Sequence, residues 1–282
     1  MTSSTTALAL DADHRALAAV CEQDAGLCTI VGIDGSFSRG LGAQLAVLGD
    51  GSTVGDLADG CLEAQVARDL TSANQPRVVR YGSGSPTIDF RLPCGSGLDL
   101  LLDPQPDRVA CRAALDRLAE RRLAHLPLPA VSPMATREYQ PALRIRAFGE
   151  GPELATLERL THAAGIEIEA VSRDAMSLGE GSGLPPADRW TAIVMLFHDH
   201  EWEAALIEEA LASEAFYIGA QGGERARIAR TTELLARGID ESQAARIVSP
   251  VGVVPACKTP QTLILSLLAE IATRYEAMRP HG

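Results

Sequence analysis

The chain has 282 residues, enough for two domains of ordinary size, each with its own core. Hydrophobic residues make up 46% and aromatics only 4%, so those cores are expected to be built from Ala, Leu, Ile and Val. A net charge of −12 argues against a nucleic-acid backbone as the main partner, while leaving room for a few arginines gathered in one cleft.

The first twenty residues carry Asp11, Asp13, His14 and Arg15 and read as neither a secretory signal nor an anchor. No run is long enough to cross a bilayer, so no membrane partner is expected. The six cysteines contain no Cys-x-x-Cys, which argues against a zinc ribbon or a thioredoxin-type site. The expected compartment is the cytoplasm, with reduced thiols.

Asp13 is placed to cap a helix in which Leu17, Val20 and Cys21 recur at helical spacing. A meander follows, with apolar runs at 27–33, 43–48 and 53–57 separated by glycine-rich turns. Gly49-Asp50-Gly51 punctuates a hairpin. Residues 61–70 read as a helix, 77–81 and 98–102 as strands, and 108–122 as an amphipathic helix. Prolines 127, 129, 133 and 141 argue against helix, so 126–140 is expected to be a linker between a domain at 1–125 and one at 141–282. Beyond it the rhythm is strand, turn, helix: strands at 143–148, 166–171, 191–197 and 216–220, and helices at 152–164, 202–211 and 259–278. That alternation predicts a parallel sheet with right-handed crossovers. The fold class is therefore α/β: an N-terminal mixed domain followed by a Rossmann-like one.

Several residues are candidates for chemistry. Arg39 offers a bidentate grip on an anion, and Cys61 a thiol at the start of a helix, where its thiolate is favoured. Glu63 is placed either to hold Arg39 by a salt bridge or to favour the helix start. Cys94 lies in a glycine-flanked loop. Gly149-x-Gly151 follows a strand and precedes a helix, half of a dinucleotide fingerprint. Leu154 and Ser172 stand where such sites have a small residue and an acid, and Glu150 puts negative charge beside an approaching pyrophosphate. These departures argue against NAD as a redox cofactor. His198-Asp199-His200 lies at the carboxyl end of a strand, where open sheets bind ligands; capping of the next helix by Asp199 is the competing reading. Arg225 and Lys258 are further cations in loops.

Gly35-Ser36-x-x-Arg39-x-x-Gly42-Ala43, then Asp50-Gly51, Gly55, Gly60-Cys61-x-Glu63 and Pro93-Cys94-Gly95, resemble the XdhC/CoxI family of maturation factors for molybdenum hydroxylases. The resemblance runs to the last helix through His198-Asp199-His200, Arg225 and Lys258-Thr259-Pro260. Gly223 and Glu224 replace the family's Ser and first Arg, and Phe197 its usual Thr. It implies a chaperone that binds molybdenum cofactor, as molybdopterin or its dinucleotide form, and is not itself an enzyme. Ser36, Arg39, Gly60, Cys61, Glu63, Cys94, Gly149, Gly151, His198, Asp199, Arg225 and Lys258 would contact the cofactor, with Cys61 on the metal. Its partners would be a cysteine desulfurase and a molybdenum hydroxylase client, and the carrier itself a homodimer. The ligand is expected between the two domains. The other readings are an NAD(P)-dependent oxidoreductase and a scaffold that bridges desulfurase and client without binding cofactor.

Overall fold

The computed structural model describes residues 11–85, 92 and 95–279. The chain divides into two compact units, the first ending at Pro141 and the second spanning Ala142–Arg279.

The first unit opens with α1 (Ala12–Glu22). Its cap is Asp11, which accepts from His14 N at 3.0 Å, and not the expected Asp13. Asp13 is taken elsewhere: Oδ1 accepts from Gln44 N at 2.9 Å and Oδ2 from Arg137 at 2.8 Å. The meander is β1 (Ala25–Asp34), β2 (Gln44–Leu48) and β3 (Thr53–Gly55), followed by α2 (Gly60–Thr71), β4 (Arg77–Gly82), β5 (Gly97–Asp103) and α3 (Arg108–Ala119). The strands form one antiparallel sheet in the order β3-β2-β1-β5-β4, with the Gly49–Gly51 turn joining β2 to β3. The sheet is apolar on both faces because helices cover both. Cys28, Ile30, Leu45 and Val47 meet Leu62, Val66 and Leu70 of α2. Leu27 and Ala46 point the other way, to Leu17 and Val20 of α1 and Cys111 and Leu118 of α3. Leu62 and Val66 are fully buried, each such side chain stabilising the fold by about 1.5–3 kcal/mol.

The segment expected as a linker is not one. It forms β6 (Ala124–Pro127) and β7 (Thr136–Tyr139), an antiparallel pair with Tyr139 buried in the α1–α3 core. Pro127 pairs with Thr136 at the end of this short ladder, where a missing N–H costs little.

In the second unit β8 (Arg144–Gly149), α4 (Gly151–Ala163) and β9 (Glu167–Ser172) are followed by β10 (Thr191–Leu196), α5 (Glu203–Leu211) and β11 (Tyr217–Ala220). Then come α6 (Glu224–Ala236), α7 (Glu241–Ala244), β12 (Ile247–Val248) and α8 (Pro260–Glu276). The sheet is parallel throughout, in the order β12-β11-β10-β8-β9. Side chains of β10 alternate: Ala192, Val194 and Leu196 pack with α4 and α8, while Ile193 and Met195 pack with α5. The charged helix α6 and the short α7 and β12 have no counterpart in the sequence reading. Among the described residues no helix is long and apolar enough to cross a membrane.

Candidate functional site

In the first unit the loop between β1 and β2 carries Ser36 and Arg39 and is tied down at both ends. At one end Ser96 Oγ donates to Ser36 O. At the other, Arg137 Nε donates to Gly42 O at 2.6 Å while its NH2 meets Asp13. Gly42 has a φ of 82°. A Cβ there would come within 2.5 Å of Arg137 Nε, so only glycine fits both the turn and the neighbour. Gln44 extends the anchor, donating to Thr29 Oγ1 at 3.0 Å and accepting from Tyr139 Oη at 2.7 Å.

Arg39 does not pair with Glu63. Its NH2 binds Asp56 Oδ2 and its NH1 donates to Ser38 O at 3.0 Å. The hydrogen bond from Arg39 is the main reason the Asp56 carboxyl is held below its ordinary value. Glu63 instead accepts from Leu57 N at 2.7 Å, fixing the turn before α2. Asp56 Oδ1 accepts from Ala58 N at 2.5 Å, and Asp59 caps α2 by accepting from Cys61 N at 2.9 Å and Leu62 N at 3.1 Å. One turn, residues 56–59, thus joins the guanidinium of Arg39 to the helix start on which Gly60 and the free thiol of Cys61 lie exposed. The arrangement offers a half-exposed cation and a soft ligand, the groups that an anion and a thiophilic metal seek.

The second candidate lies where the parallel sheet changes direction. Strands β8 and β10 are neighbours, and their helices α4 and α5 lie on opposite faces, so the loops after Gly149 and Leu196 diverge at the carboxyl edge. Gly149 packs against the backbone of β10; a Cβ there would lie 2.6 Å from Leu196 O. Gly151 (φ 74°) begins α4, whose cap residue Glu150 makes no side-chain cap bond and pairs with Arg173 at 3.1 Å. Asp199 accepts from Glu201 N at 3.2 Å, and so caps the single 3₁₀ turn 200–202. His198 is exposed, with Nε2 3.4 Å from Glu153 Oε2.

At the same edge His200 meets Glu203 and, through it, Arg230, neither of which the sequence singled out. His200 Nδ1 lies 3.0 Å from Glu203 Oε1, and the other oxygen of Glu203 accepts from Arg230 Nε at 2.7 Å. Arg230 further donates to Ser249 Oγ at 2.9 Å and Gln221 O at 2.8 Å. Glu203 and Arg230 are both buried. Glu153, on the first turn of α4, is also buried. In the sequence both glutamates look like ordinary acids at a helix start, and only the fold reveals their burial.

Arg225 is exposed on the first turn of α6, and Lys258, the chain's single lysine, is exposed before the Thr259 cap of α8. Cys94 lies outside the described residues. Among the described residues no group of three or more His, Cys, Asp or Glu could hold a metal ion, so Cys61 offers one ligand and not a chelating set.

Residues 145–271 match the XdhC Rossmann domain, and residues 21–82 match the XdhC and CoxI family. The molybdenum cofactor insertion chaperone PaoD of Escherichia coli K12 is 30% identical, over 93% of this chain and 88% of its own length. A solved structure from Bacillus halodurans, described as a xanthine dehydrogenase, superposes with a TM-score of 0.73 at 19% identity and covers 95% of this chain and 97% of that one. At that identity the likeness speaks for the fold alone.

Proposed function

This chain belongs to the XdhC and CoxI family, and we propose that it is a carrier of molybdenum cofactor. The cofactor is its cargo: the carrier takes up the pterin dithiolene complex, shields it while a cysteine desulfurase exchanges an oxo ligand for sulfide, and passes it to a molybdenum hydroxylase. The support is the full-length likeness to a protein named as an insertion chaperone, together with one observation in the first unit. The 56–59 turn links Arg39 to the exposed thiol of Cys61. A guanidinium suits the phosphate of the cargo and a thiolate suits its metal. The phosphate would have to compete with Asp56 for Arg39. A half-exposed pair of this kind is worth little in water, so the exchange is not costly.

In this reading Ser36 and Gly60 contribute backbone around the phosphate, and Glu63 acts at a distance by holding the turn. The test is the pterin content of protein produced in a molybdenum-replete host. Cys61→Ser should lower it while leaving the thermal midpoint nearly unchanged, because the thiol is exposed. Equal content in the variant and the parent would remove Cys61 from the site.

A further inference from the structure

The helix start at Gly151 resembles a phosphate site in its backbone but not in its charge. Glu153 sits on the first turn of α4, is only 8% exposed, and its Oε2 is a buried oxygen without a hydrogen-bond partner. His198 Nε2, 3.4 Å away, is near enough for charge pairing but is not aligned to donate. Beyond its chain neighbours and the backbone of its own helix, a Cβ placed on Gly151 would find that oxygen at 3.8 Å and nothing else within 4 Å. The side of the glycine turn on which a side chain would stand is therefore faced by a buried carboxylate oxygen, at the switch point where a sheet of this order takes its ligand.

A phosphate entering here would meet Glu153 in the space it needs. Glu150 adds a second carboxylate, already matched by Arg173. What an unsatisfied carboxylate seeks is donors, and it accepts two parallel N–H bonds from a planar fork most strongly. A pterin carries such a fork on its pyrimidine ring, the 2-amino group beside a ring N–H. Cytosine does not, because its amino group sits beside an acceptor nitrogen.

Building on the carrier reading above, we propose that Glu153 recognises the amino-pyrimidine edge of the pterin, so that the second unit reads the ring and not a phosphate. Gly151 admits the ring by its lack of a side chain, while Gly149 lets β8 lie close against the backbone of β10. His198, exposed on the facing loop, borders the same space.

The experiment uses the intact chain and two fluorescent probes, pterin and lumazine, which differ by an amino group against a carbonyl at position 2. Equilibrium dialysis of the wild type should show pterin bound at least about tenfold more tightly than lumazine, a carbonyl there facing the carboxylate as a second acceptor. Glu153→Gln should abolish that preference with little change in thermal midpoint. A wild type that binds the two probes equally, or neither, overturns the assignment, and this arm needs no variant to fold. Cofactor content after production in a molybdenum-replete host separates the two proposals. Wild type that carries pterin without discriminating the probes keeps the carrier reading and loses Glu153; wild type that carries none loses both.

Discussion

The helices α2 and α4 begin alike in sequence, each at a glycine with a glutamate three residues or fewer behind it, yet the two entrances are opposites. At α2 the first amides are taken by Asp59, Glu63 turns back to the chain, and the thiol of Cys61 is left in solvent. At α4 no side chain caps the helix and the glutamate is buried with an oxygen unpaired. A glycine at a helix start thus fixes how near a ligand can come, while the side chain that fills or leaves the space decides which charge is welcome. The two entrances are also supported differently. Arg39 and Asp56 form a half-exposed pair, whereas the loop after β10 rests on the buried pair Glu203–Arg230.

The largest effect that would sharpen this contrast is expected at Glu203. Glu203→Gln leaves Arg230 buried without its counter-charge, and breaking such a pair costs about 3–5 kcal/mol. Urea unfolding followed by hydrogen exchange should place the loss in residues 142–279 and not in the first unit. A loss below about 1 kcal/mol would mean that Ser249 and Gln221 alone hold Arg230.

Next in size is a difference in alkali. The first unit buries two thiols, Cys28 and Cys111, while the second has among its described residues only the partly exposed Cys257. Burial pushes Cys111 from the ordinary 9.0 up to about 12, and Cys28 higher still. The folded thiol keeps its proton where the unfolded one has lost it. Its contribution is therefore intact below pH 9.0 and is lost as pH rises toward about 12, at about 1.4 kcal/mol per pH unit for a fully buried group. Unfolding at intervals from pH 8 upward should show a shallower decline for Cys111→Ala than for the parent. Parallel profiles would mean that the thiol titrates as freely folded as unfolded.

The smallest effect is at Arg39. Removing a half-exposed pair costs about 0.2–1 kcal/mol, so Arg39→Ala should barely move the urea midpoint. A double-mutant cycle with Asp56→Ala measures the coupling directly; a coupling above about 2 kcal/mol would make Arg39 a structural strut and remove it from the binding reading.

The parts of this molecule that were legible in sequence are those set by neighbours. The Gly49–Gly51 hairpin declares itself by turn chemistry, and the continuous apolar run of β10 by being buried on both faces. What misled were choices settled by distant residues. Asp11 and Asp13 are both good caps, and Arg137, far along the chain, draws one of them away. Sequence offered Glu63 as a partner for Arg39, whereas the fold gives Arg39 to Asp56 and turns Glu63 back to Leu57 N. Prolines at 127, 129 and 133 rule out a helix but not a short ladder with proline at its end and in its turn. The burial of Glu153 follows from the packing of α4 on the sheet, which a first-turn acid does not announce.

The hairpin β6–β7 also sets the order in which the first unit can be completed on the ribosome. The loop bearing Arg39 is synthesised early, but the residue that clasps Gly42, Arg137, lies 95 positions downstream. Until that residue leaves the exit tunnel, the loop lacks the clasp on Gly42 and the core under α1 lacks Tyr139. Contacts of such long range are made late, since the intervening chain must be closed first. The nascent chain therefore cannot present a finished Arg39 loop until nearly all of its first unit has been made, by which point the residues that form the second are next to be translated.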